Sequence, residues 1–220
     1  MHRYRTVIFG GALSLALADS PFLCSLGRIS AGGVGKSALT ARFVNDTFLS
    51  NYDPTIEEVY ECSSQVDDTT YSLEILDTAG VDQFHTLNER YIKSAHGFIL
   101  VFSLTQETSL REIEDLRRRI YHLRGDDRQI PIVVVGTKLD LAAEREVSQE
   151  LIRSYAVRWG VPFYETSAKR NWNVRPSFED LIRQMRARFP YPAKTKTRRG
   201  KSKTNKTFTD VPRPDRCLIM

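Results

Sequence analysis

Seven residues near the start of the chain, Ala31-Gly32-Gly33-Val34-Gly35-Lys36-Ser37, limit the folds that it can adopt. In such a segment glycines let backbone N–H groups turn inward around phosphate oxygens, a lysine adds positive charge, and a hydroxyl binds Mg²⁺. The alternative is an ordinary glycine-rich turn before a helix. The segment predicts a phosphate-binding loop between a strand and a helix of an α/β fold.

Apolar and amphipathic segments alternate along the chain, as in a parallel sheet covered by helices. Phe98–Phe102 and Ile132–Val135 are continuous apolar runs, typical of central strands buried on both faces. We expect a six-stranded, mostly parallel sheet with helices on both faces. The predicted strands are Tyr4–Phe9, Val59–Val66, Tyr71–Leu76, Gly97–Ser103, Ile130–Gly136 and Pro162–Thr166, and the predicted helices are Gly35–Asn45, Leu87–Lys93, Ser109–Leu123, Ser148–Trp159 and Val174–Arg188.

The number of cysteines and the length of the longest apolar stretch exclude two classes of protein. Cys24, Cys62 and Cys217 are too few and too scattered for a disulfide framework or a zinc site, and they indicate a reducing compartment. The longest apolar stretch, Val7 to Ala18, is shorter than the roughly 20 residues of a membrane-spanning helix. We therefore expect no transmembrane segment.

The net charge of +5 belongs to the end of the chain. From Lys194 onward there are nine lysines and arginines against Asp210 and Asp215, so this part carries +7 and the rest carries −2. The segment has no apolar periodicity, and we expect residues 191–220 to form a disordered basic tail. A solubilising role, a nucleic-acid contact and a membrane contact are all compatible with its composition.

Three further motifs follow predicted strands. In Asp77-Thr78-Ala79-Gly80 a carboxylate can support the Mg²⁺ shell and Gly80 can offer its N–H to a γ-phosphate. In Thr137-Lys138-Leu139-Asp140 the carboxylate can accept two parallel hydrogen bonds from guanine, which adenine cannot supply, while the lysine stem covers the ring. Ser167-Ala168-Lys169 can give a backbone N–H to guanine O6. All follow strand C-termini, where an open α/β sheet binds its ligand.

These motifs, in this order, resemble a small GTPase of the Ras family, with the Ras/Rap branch the most similar. The resemblance covers roughly Arg3 to Arg188 and again the last four residues, and it implies a P-loop GTPase fold, GTP and GDP as ligands and Mg²⁺ as cofactor. Tyr52-Asp53-Pro54-Thr55-Ile56-Glu57-Glu58 resembles the first switch and effector segment.

The resemblance also assigns roles to single residues. Nucleotide contacts are implied for Gly10, Ala31, Gly32, Gly33, Val34, Gly35, Lys36, Ser37, Ala38, Phe48, Tyr52, Thr55, Gly80, Thr137, Lys138, Asp140, Ser167, Ala168 and Lys169. Catalytic roles are implied for Lys36, Thr55, Gly80 and the position of Val81, magnesium contacts for Ser37, Thr55 and, through water, Asp77, and effector contacts for Ile56, Glu57, Glu58 and Tyr60.

Val81 departs from the family pattern, which has a glutamine there to orient the attacking water. Valine cannot hydrogen-bond to water, so we expect slow intrinsic GTP hydrolysis that depends on a partner protein. The Rap branch also lacks this glutamine, and Asp82-Gln83-Phe84 resembles that branch. A module that binds GTP without meaningful turnover is the alternative. Thr137 replaces an asparagine of the family, which puts its tie to the phosphate loop in question.

A second departure lies at the start of the phosphate loop. The loop should begin with a glycine after a strand, but Ser30 takes that place and the preceding segment, with Pro21 and Gly27, makes a poor strand. Arg5–Gly10 has the form of the missing strand and its glycine. We therefore interpret Gly11–Ser30 as an insertion, either a retained intron or a gene-model error, and its product as compromised in nucleotide binding. A secretory signal peptide is the rival interpretation.

The last four residues, Cys217-Leu218-Ile219-Met220, fit a prenylation motif in which the terminal methionine favours farnesyl. One lipid holds a protein weakly, and seven basic residues within Lys194–Lys206 supply the second signal for an anionic membrane. We expect a monomer with a Ras-like domain at residues 1–190 and a tail at 191–220, on the cytoplasmic face of the plasma membrane or an endomembrane, without nucleic acid. The implied partners are an exchange factor, a GTPase-activating protein and an effector with a Ras-binding domain.

Overall fold

The computed structural model describes residues 2–10, 33–48, 57–78 and 85–190 of the chain. Within these ranges six strands form one sheet in the order β2-β3-β1-β4-β5-β6. The strands are β1 (His2–Gly10), β2 (Glu57–Val66), β3 (Thr69–Thr78), β4 (Gly97–Ser103), β5 (Ile132–Thr137) and β6 (Phe163–Glu165). The helices are α1 (Lys36–Asn45), α2 (His85–Ser94), α3 (Glu107–Leu123), α4 (Gln149–Trp159) and α5 (Val174–Arg188), with a short 3₁₀ turn at Ala142–Glu144.

The sheet is parallel except for its edge strand. β1 pairs in parallel with β3 on one side and with β4 on the other, so it lies inside the sheet. Only the β2–β3 pair is antiparallel among the five strand pairs of the described residues. The mostly parallel six-stranded α/β fold predicted from the sequence is confirmed.

Helices cover both faces of the sheet because every central strand is apolar on both sides. On one face α1 and α5 pack Leu39, Phe43 and Phe178 against alternate residues of β1, β3, β4 and β5. On the other face α2, α3 and α4 pack over the remaining alternate positions, including Val7 and Phe98. All seven residues of β4 are buried, as expected for the middle of a two-sided core.

The predicted and observed bounds of the helices differ by one or two residues where they differ. Ser148 caps α4, since its hydroxyl accepts a hydrogen bond from the Leu151 N–H at 3.1 Å, and the helix begins one residue later than predicted. Glu107 begins α3 two residues earlier than predicted. None of the helices in the described ranges combines the length and apolar character needed to cross a bilayer.

Candidate functional site

The described part of the glycine-rich loop, Gly33 to Gly35, leads directly into α1. Gly33 and Gly35 have φ angles of 102° and 95°, which only glycine adopts without strain. These conformations turn the chain so that the first N–H groups of α1, which have no partner within the helix, face the C-terminal edge of the sheet. The loop and the helix therefore form an anion-binding end next to β1, β3 and β5.

Gly10, at the end of β1, touches this loop although 22 residues separate it from Gly33 in the sequence. A Cβ atom at Gly10 would lie 2.7 Å from Cγ2 of Val34 and 2.8 Å from Cδ of Lys36, so only glycine fits beside the lysine stem. The strand predicted at Tyr4–Phe9 thus occupies the position that a phosphate loop requires before it. The interpretation of Gly10 as the first glycine of the loop agrees with this contact.

Lys36 and Asp77 bring two charged groups into the buried part of the site. Lys36 is 7% exposed and Asp77 is 0% exposed. Burial lowers the pKa of the Lys36 ammonium, and the charge of Asp77 partly offsets this. Burial raises the pKa of Asp77 to about 6, while the Ser37 hydroxyl and Lys36 act in the opposite direction. The site therefore holds charged groups whose burial costs free energy without a ligand.

The residues around Asp77 fit a magnesium ion. Both oxygens of the Asp77 carboxylate are buried, and neither accepts a hydrogen bond of normal geometry from the described residues. The hydroxyl of Ser37, one residue after Lys36, is close enough to lower the pKa of this carboxyl. Carboxylate and hydroxyl oxygens are hard donors of the type that Mg²⁺ prefers.

Thr137 ties the loop to the end of β5. Its buried hydroxyl lies within hydrogen-bonding range of the Val34 carbonyl and 3.0 Å from the Phe102 carbonyl, and either can accept its single proton. A Cβ atom at Gly35 would come within 3.3 Å of the same hydroxyl. The tie to the phosphate loop, which threonine at this position put in question, is therefore present. Glycine at position 35 is what allows the close approach.

Asp140 and Ser167 bring two of the predicted base-binding motifs together. The Ser167 hydroxyl donates to Oδ1 of Asp140 at 2.5 Å, and the Leu139 N–H donates to the Thr166 carbonyl at 2.9 Å. Within the described residues the N–H groups of Ala168 and Lys169 donate no hydrogen bond, so both remain for a ligand. Lys138, with a φ of 63°, directs the chain from β5 into this contact.

Several predicted site residues lie outside the described residues, and the described effector residues lie on the edge strand β2, where Glu58 pairs with Asp77 of β3. Phe48, which follows α1, is 38% exposed, and Tyr60 donates its hydroxyl hydrogen to Glu58 on the edge strand β2. Glu57 is the first residue of that strand. Ala31, Gly32, Tyr52, Thr55, Ile56, Gly80, Val81 and Cys217 are the predicted residues outside the described ranges.

Two arginines that no sequence motif indicates support the site. Arg42 in α1 donates from Nε to the Ala168 carbonyl at 2.7 Å. Arg145 holds Glu165, at the end of β6, through two hydrogen bonds of 2.5 and 2.9 Å. Both contacts join residues far apart in the chain, and an arginine on a half-exposed helix or turn carries no local pattern that predicts its partner.

Residues 28–187 match the family model described as Ras family. The match covers well over half of the chain and includes α1, the sheet from β2 onward and all three motifs that follow strands. It begins shortly before the glycine-rich loop and leaves out β1. The chain belongs to the Ras family.

Proposed function

We propose that this protein is a lipid-anchored switch of the Ras/Rap branch that binds GTP and GDP, hydrolyses GTP slowly and depends on partners for turnover. The coarser part follows from the family, because Ras-family proteins are small GTPases that act as switches and generally use Mg²⁺. One observation carries the proposal: a buried Lys36 and Asp77 lie at the same edge of the sheet as the bonded Asp140–Ser167 pair.

The phosphate side of the site is assigned to the loop and the start of α1. Gly10 and Ala31–Ala38 surround the phosphates, and Lys36 supplies positive charge. Ser37, Thr55 and, through water, Asp77 hold magnesium, which neutralises charge on the phosphate oxygens. Thr55 and Gly80 contact the γ-phosphate, so that GTP orders both switch segments and hydrolysis releases them.

The base side is assigned to the segments after β5 and β6. Asp140 accepts two hydrogen bonds from the guanine edge, and the free N–H of Ala168 is aimed at O6. Lys138 and Phe48 cover the ring, with Thr137, Ser167 and Lys169 completing the contacts and Tyr52 closing the nucleotide from the first switch. The hydrogen bond from Ser167 to Asp140 supports this assignment because it fixes the carboxylate beside the Ser167–Lys169 segment.

Guanine recognition is tested by comparing GDP with ADP binding in the purified chain and in Asp140→Asn. The amide offers one acceptor where the carboxylate offers two, so GDP affinity should fall about 10- to 100-fold, as for the loss of a bidentate base contact. Glu144→Gln, in the 3₁₀ turn after Asp140, serves as the control and should bind as the unchanged chain does. Equal affinity of the unchanged chain for GDP and ADP would refute the proposal.

Slow hydrolysis is proposed because Val81 cannot orient water. The Rap branch also lacks glutamine here, and its activating proteins can supply an asparagine, so a partner restores turnover. Single-turnover GTP hydrolysis, with and without cell extract, separates this switch from a module that only binds GTP. Extract should accelerate hydrolysis, and Val81→Gln should accelerate the unaided reaction. Unaided turnover as fast as in the Gln variant would contradict the proposal.

Effector contact is proposed for Ile56, Glu57, Glu58 and Tyr60. β2 is the edge strand of the sheet, and Glu58 and Val59 are exposed on it, with Val59 58% exposed. An exposed edge strand has free backbone groups for a partner. Alanine substitution of Glu58 should weaken capture by a Ras-binding domain of the GTP-loaded protein while nucleotide affinity is kept.

Membrane attachment is proposed through a farnesyl group on Cys217 and the basic tail, at the plasma membrane or an endomembrane. Each basic side chain near anionic lipid contributes about 1 kcal/mol, so the tail adds a second signal to the weak hold of one lipid. Cys217→Ser should release the protein from membranes at physiological salt. Retained binding of this variant would count against the lipid anchor and favour another role for the tail.

Residues 1–190 are proposed as one Ras-like domain that Gly11–Ser30 interrupts. Two observations support an insertion: Gly10 contacts the stem of Lys36, and the family match begins only at residue 28. Closing a loop of this length costs only a few kcal/mol, so the sheet tolerates it. Deletion of residues 11–30 should raise the nucleotide content of the purified protein. An unchanged content would argue that the segment belongs to the working protein.

A further inference from the structure

We propose that Arg42 is a positioning residue that fastens the Ser167–Lys169 loop to α1 and thereby sets how long a guanine nucleotide stays bound. The inference deepens the proposed function and rests on it. It assigns a role in slow nucleotide release to a side chain outside the motifs that contact the nucleotide.

The side chain of Arg42 is held at both ends of its guanidinium. It projects from α1, the helix that begins with Lys36 and Ser37, and it is 15% exposed. Nε donates to the Ala168 carbonyl at 2.7 Å, and Nη1 donates to the Asp46 carbonyl at 2.7 Å. Nη1 also lies 3.3 Å from Oδ1 of Asp46.

A second hydrogen bond joins the chain just after the Ser167–Lys169 loop to the C-terminal end of α1. Asn171, just after the loop, donates from Nδ2 to Oδ1 of Asp46 at 3.2 Å. Asp46 itself adopts a left-handed conformation, with φ of 52°, as the residue that ends α1. The hydrogen bonds among Arg42, Asp46, Ala168 and Asn171 therefore join helix and loop at two points, and we call this set of bonds the clasp.

The clasp acts on the peptide groups that face the base. Arg42 holds the carbonyl of Ala168, while the N–H groups of Ala168 and Lys169 bond to none of the described residues. Elsewhere the loop is held by Ser167, whose hydroxyl bonds Asp140 and whose backbone exchanges hydrogen bonds of 3.1 and 3.0 Å with Trp172. Among these bonds, those of the clasp join the loop to the helix that carries the phosphate-binding residues.

This connection has a kinetic consequence. A nucleotide binds the loop through its base and α1 through its phosphates, so release requires both contacts to loosen. A clasp that fixes the distance between the two parts preorganises them and lowers the entropy lost on binding. A hydrogen bond from a charged donor contributes more than a neutral one, so its loss should accelerate release by roughly 10-fold.

Arg175 offers a matched control. It lines the same cavity of about 220 Å³ as Arg42, between α1 and the start of α5, and its guanidinium lies 5.9 Å from the Phe43 ring centre. It makes no hydrogen bond or ion pair within the described residues. Arg175→Ala therefore removes an arginine from the same surface without opening the clasp.

The experiment measures release of a fluorescent GDP from the full chain for Arg42→Ala, Arg42→Lys, Asn171→Ala and Arg175→Ala. Release should be about 10-fold faster in Arg42→Ala, a few-fold faster in Asn171→Ala, intermediate in Arg42→Lys and within 2-fold of the unchanged chain in Arg175→Ala. A release rate of Arg42→Ala within 2-fold of the unchanged chain, or an equal acceleration by Arg175→Ala, would overturn the proposal.

Amide hydrogen exchange in the nucleotide-free chain supplies a second readout that needs no bound nucleotide. The N–H groups of Ser167 and Trp172, which bond each other's carbonyls, should exchange faster in Arg42→Ala than in Arg175→Ala. Unchanged exchange there would overturn the proposal. Should Arg42→Ala fail to fold, Asn171→Ala decides by the same two measurements. Failure of the unchanged chain to prefer GDP over ADP would instead refute the proposed function. In that case the hydrogen-exchange rates of Ser167 and Trp172 would still show whether Arg42 holds the loop.

Discussion

Around β1 and β3, the two ends of the sheet differ in how their charged side chains are placed. At the C-terminal ends of the strands, Lys36 and Asp77 are buried, and the carboxylate of Asp77 accepts no hydrogen bond of normal geometry from the described residues. In the N-terminal half, charged side chains are paired with one another. Arg3 and Arg5 reach Glu74 at 2.7 and 2.6 Å.

The pairing in the N-terminal half extends to the helices. Arg183 and Arg186 of α5 both lie 3.2 Å from Asp67 in the β2–β3 turn. Arg124, which ends α3, donates to the carbonyls of Ile92 and Ala95 at 3.0 and 2.8 Å and so caps the end of α2. Among the described residues these contacts form without a ligand, and they stabilise the fold.

This difference in charge pairing separates residues that stabilise the fold from residues that bind the ligand. Buried charge that neighbouring protein groups offset only in part costs free energy in the empty protein, and a ligand that supplies further partners recovers it. The C-terminal end is therefore expected to affect nucleotide affinity more than folding, and the N-terminal half the reverse. Substitutions at each end test this division.

Lys36→Met should give the largest effect on binding. Removing a charged donor that contacts phosphate should lower nucleotide affinity about 100-fold, equivalent to roughly 3 kcal/mol. The unfolding free energy of the nucleotide-free chain should change by less than about 1 kcal/mol, because burial already disfavours the charged ammonium and lowers its pKa. Fluorescent-nucleotide titration and urea denaturation measure the two quantities.

Arg183→Met is the control at the other end. Its ion pair with Asp67 is exposed, so the variant should bind nucleotide normally and lose at most about 1 kcal/mol of stability. A large loss of folding stability in Lys36→Met would show that the two ends do not divide as described.

Thr137→Val tests the point where the phosphate loop joins the base-binding segment. Valine keeps the shape of threonine but leaves the Val34 carbonyl without the hydroxyl, which should cost about 10-fold in nucleotide affinity and less than about 1 kcal/mol of stability in the nucleotide-free chain. Thr137→Ser retains the hydroxyl and should behave nearly as the unchanged chain. Equal affinities of the Val and Ser variants would contradict a role for this bond.

The sequence predicts the fold well because the fold rests on local patterns. The continuous apolar run of β4 and the amphipathic pattern of α5 give the observed bounds, Gly97–Ser103 and Val174–Arg188. β5 begins at Ile132 rather than Ile130, where Pro131 lacks a backbone N–H for the ladder. Even β1, separated from its loop, is predictable from its apolar run and final glycine.

The site is predictable only where a motif carries it. Lys36 follows from the glycine-rich loop, and Asp77, Asp140 and Ser167 follow from motifs after predicted strands. The structure brings all four to one edge of the sheet. The clasp of Arg42 and the pairing of Glu74 depend on side chains that meet across the fold. Such partners are set by tertiary packing, and neither helix period nor strand alternation encodes them.

Glu74→Gln should give the smallest effect and only on folding. The Arg5 guanidinium, with Arg3, lowers the pKa of this mostly buried carboxyl below 4.5, so its ionised form stabilises the fold above that pH. Since both arginines are largely exposed, the variant should lose only about 1 kcal/mol at pH 7. This difference should vanish as the pH falls through the lowered pKa and both forms become neutral. Urea denaturation between pH 7 and pH values below 4.5 measures this loss of stability. Glu61→Gln, at a more exposed carboxylate, should show a smaller loss. An altered nucleotide affinity in Glu74→Gln would contradict the separation between the two ends of the sheet.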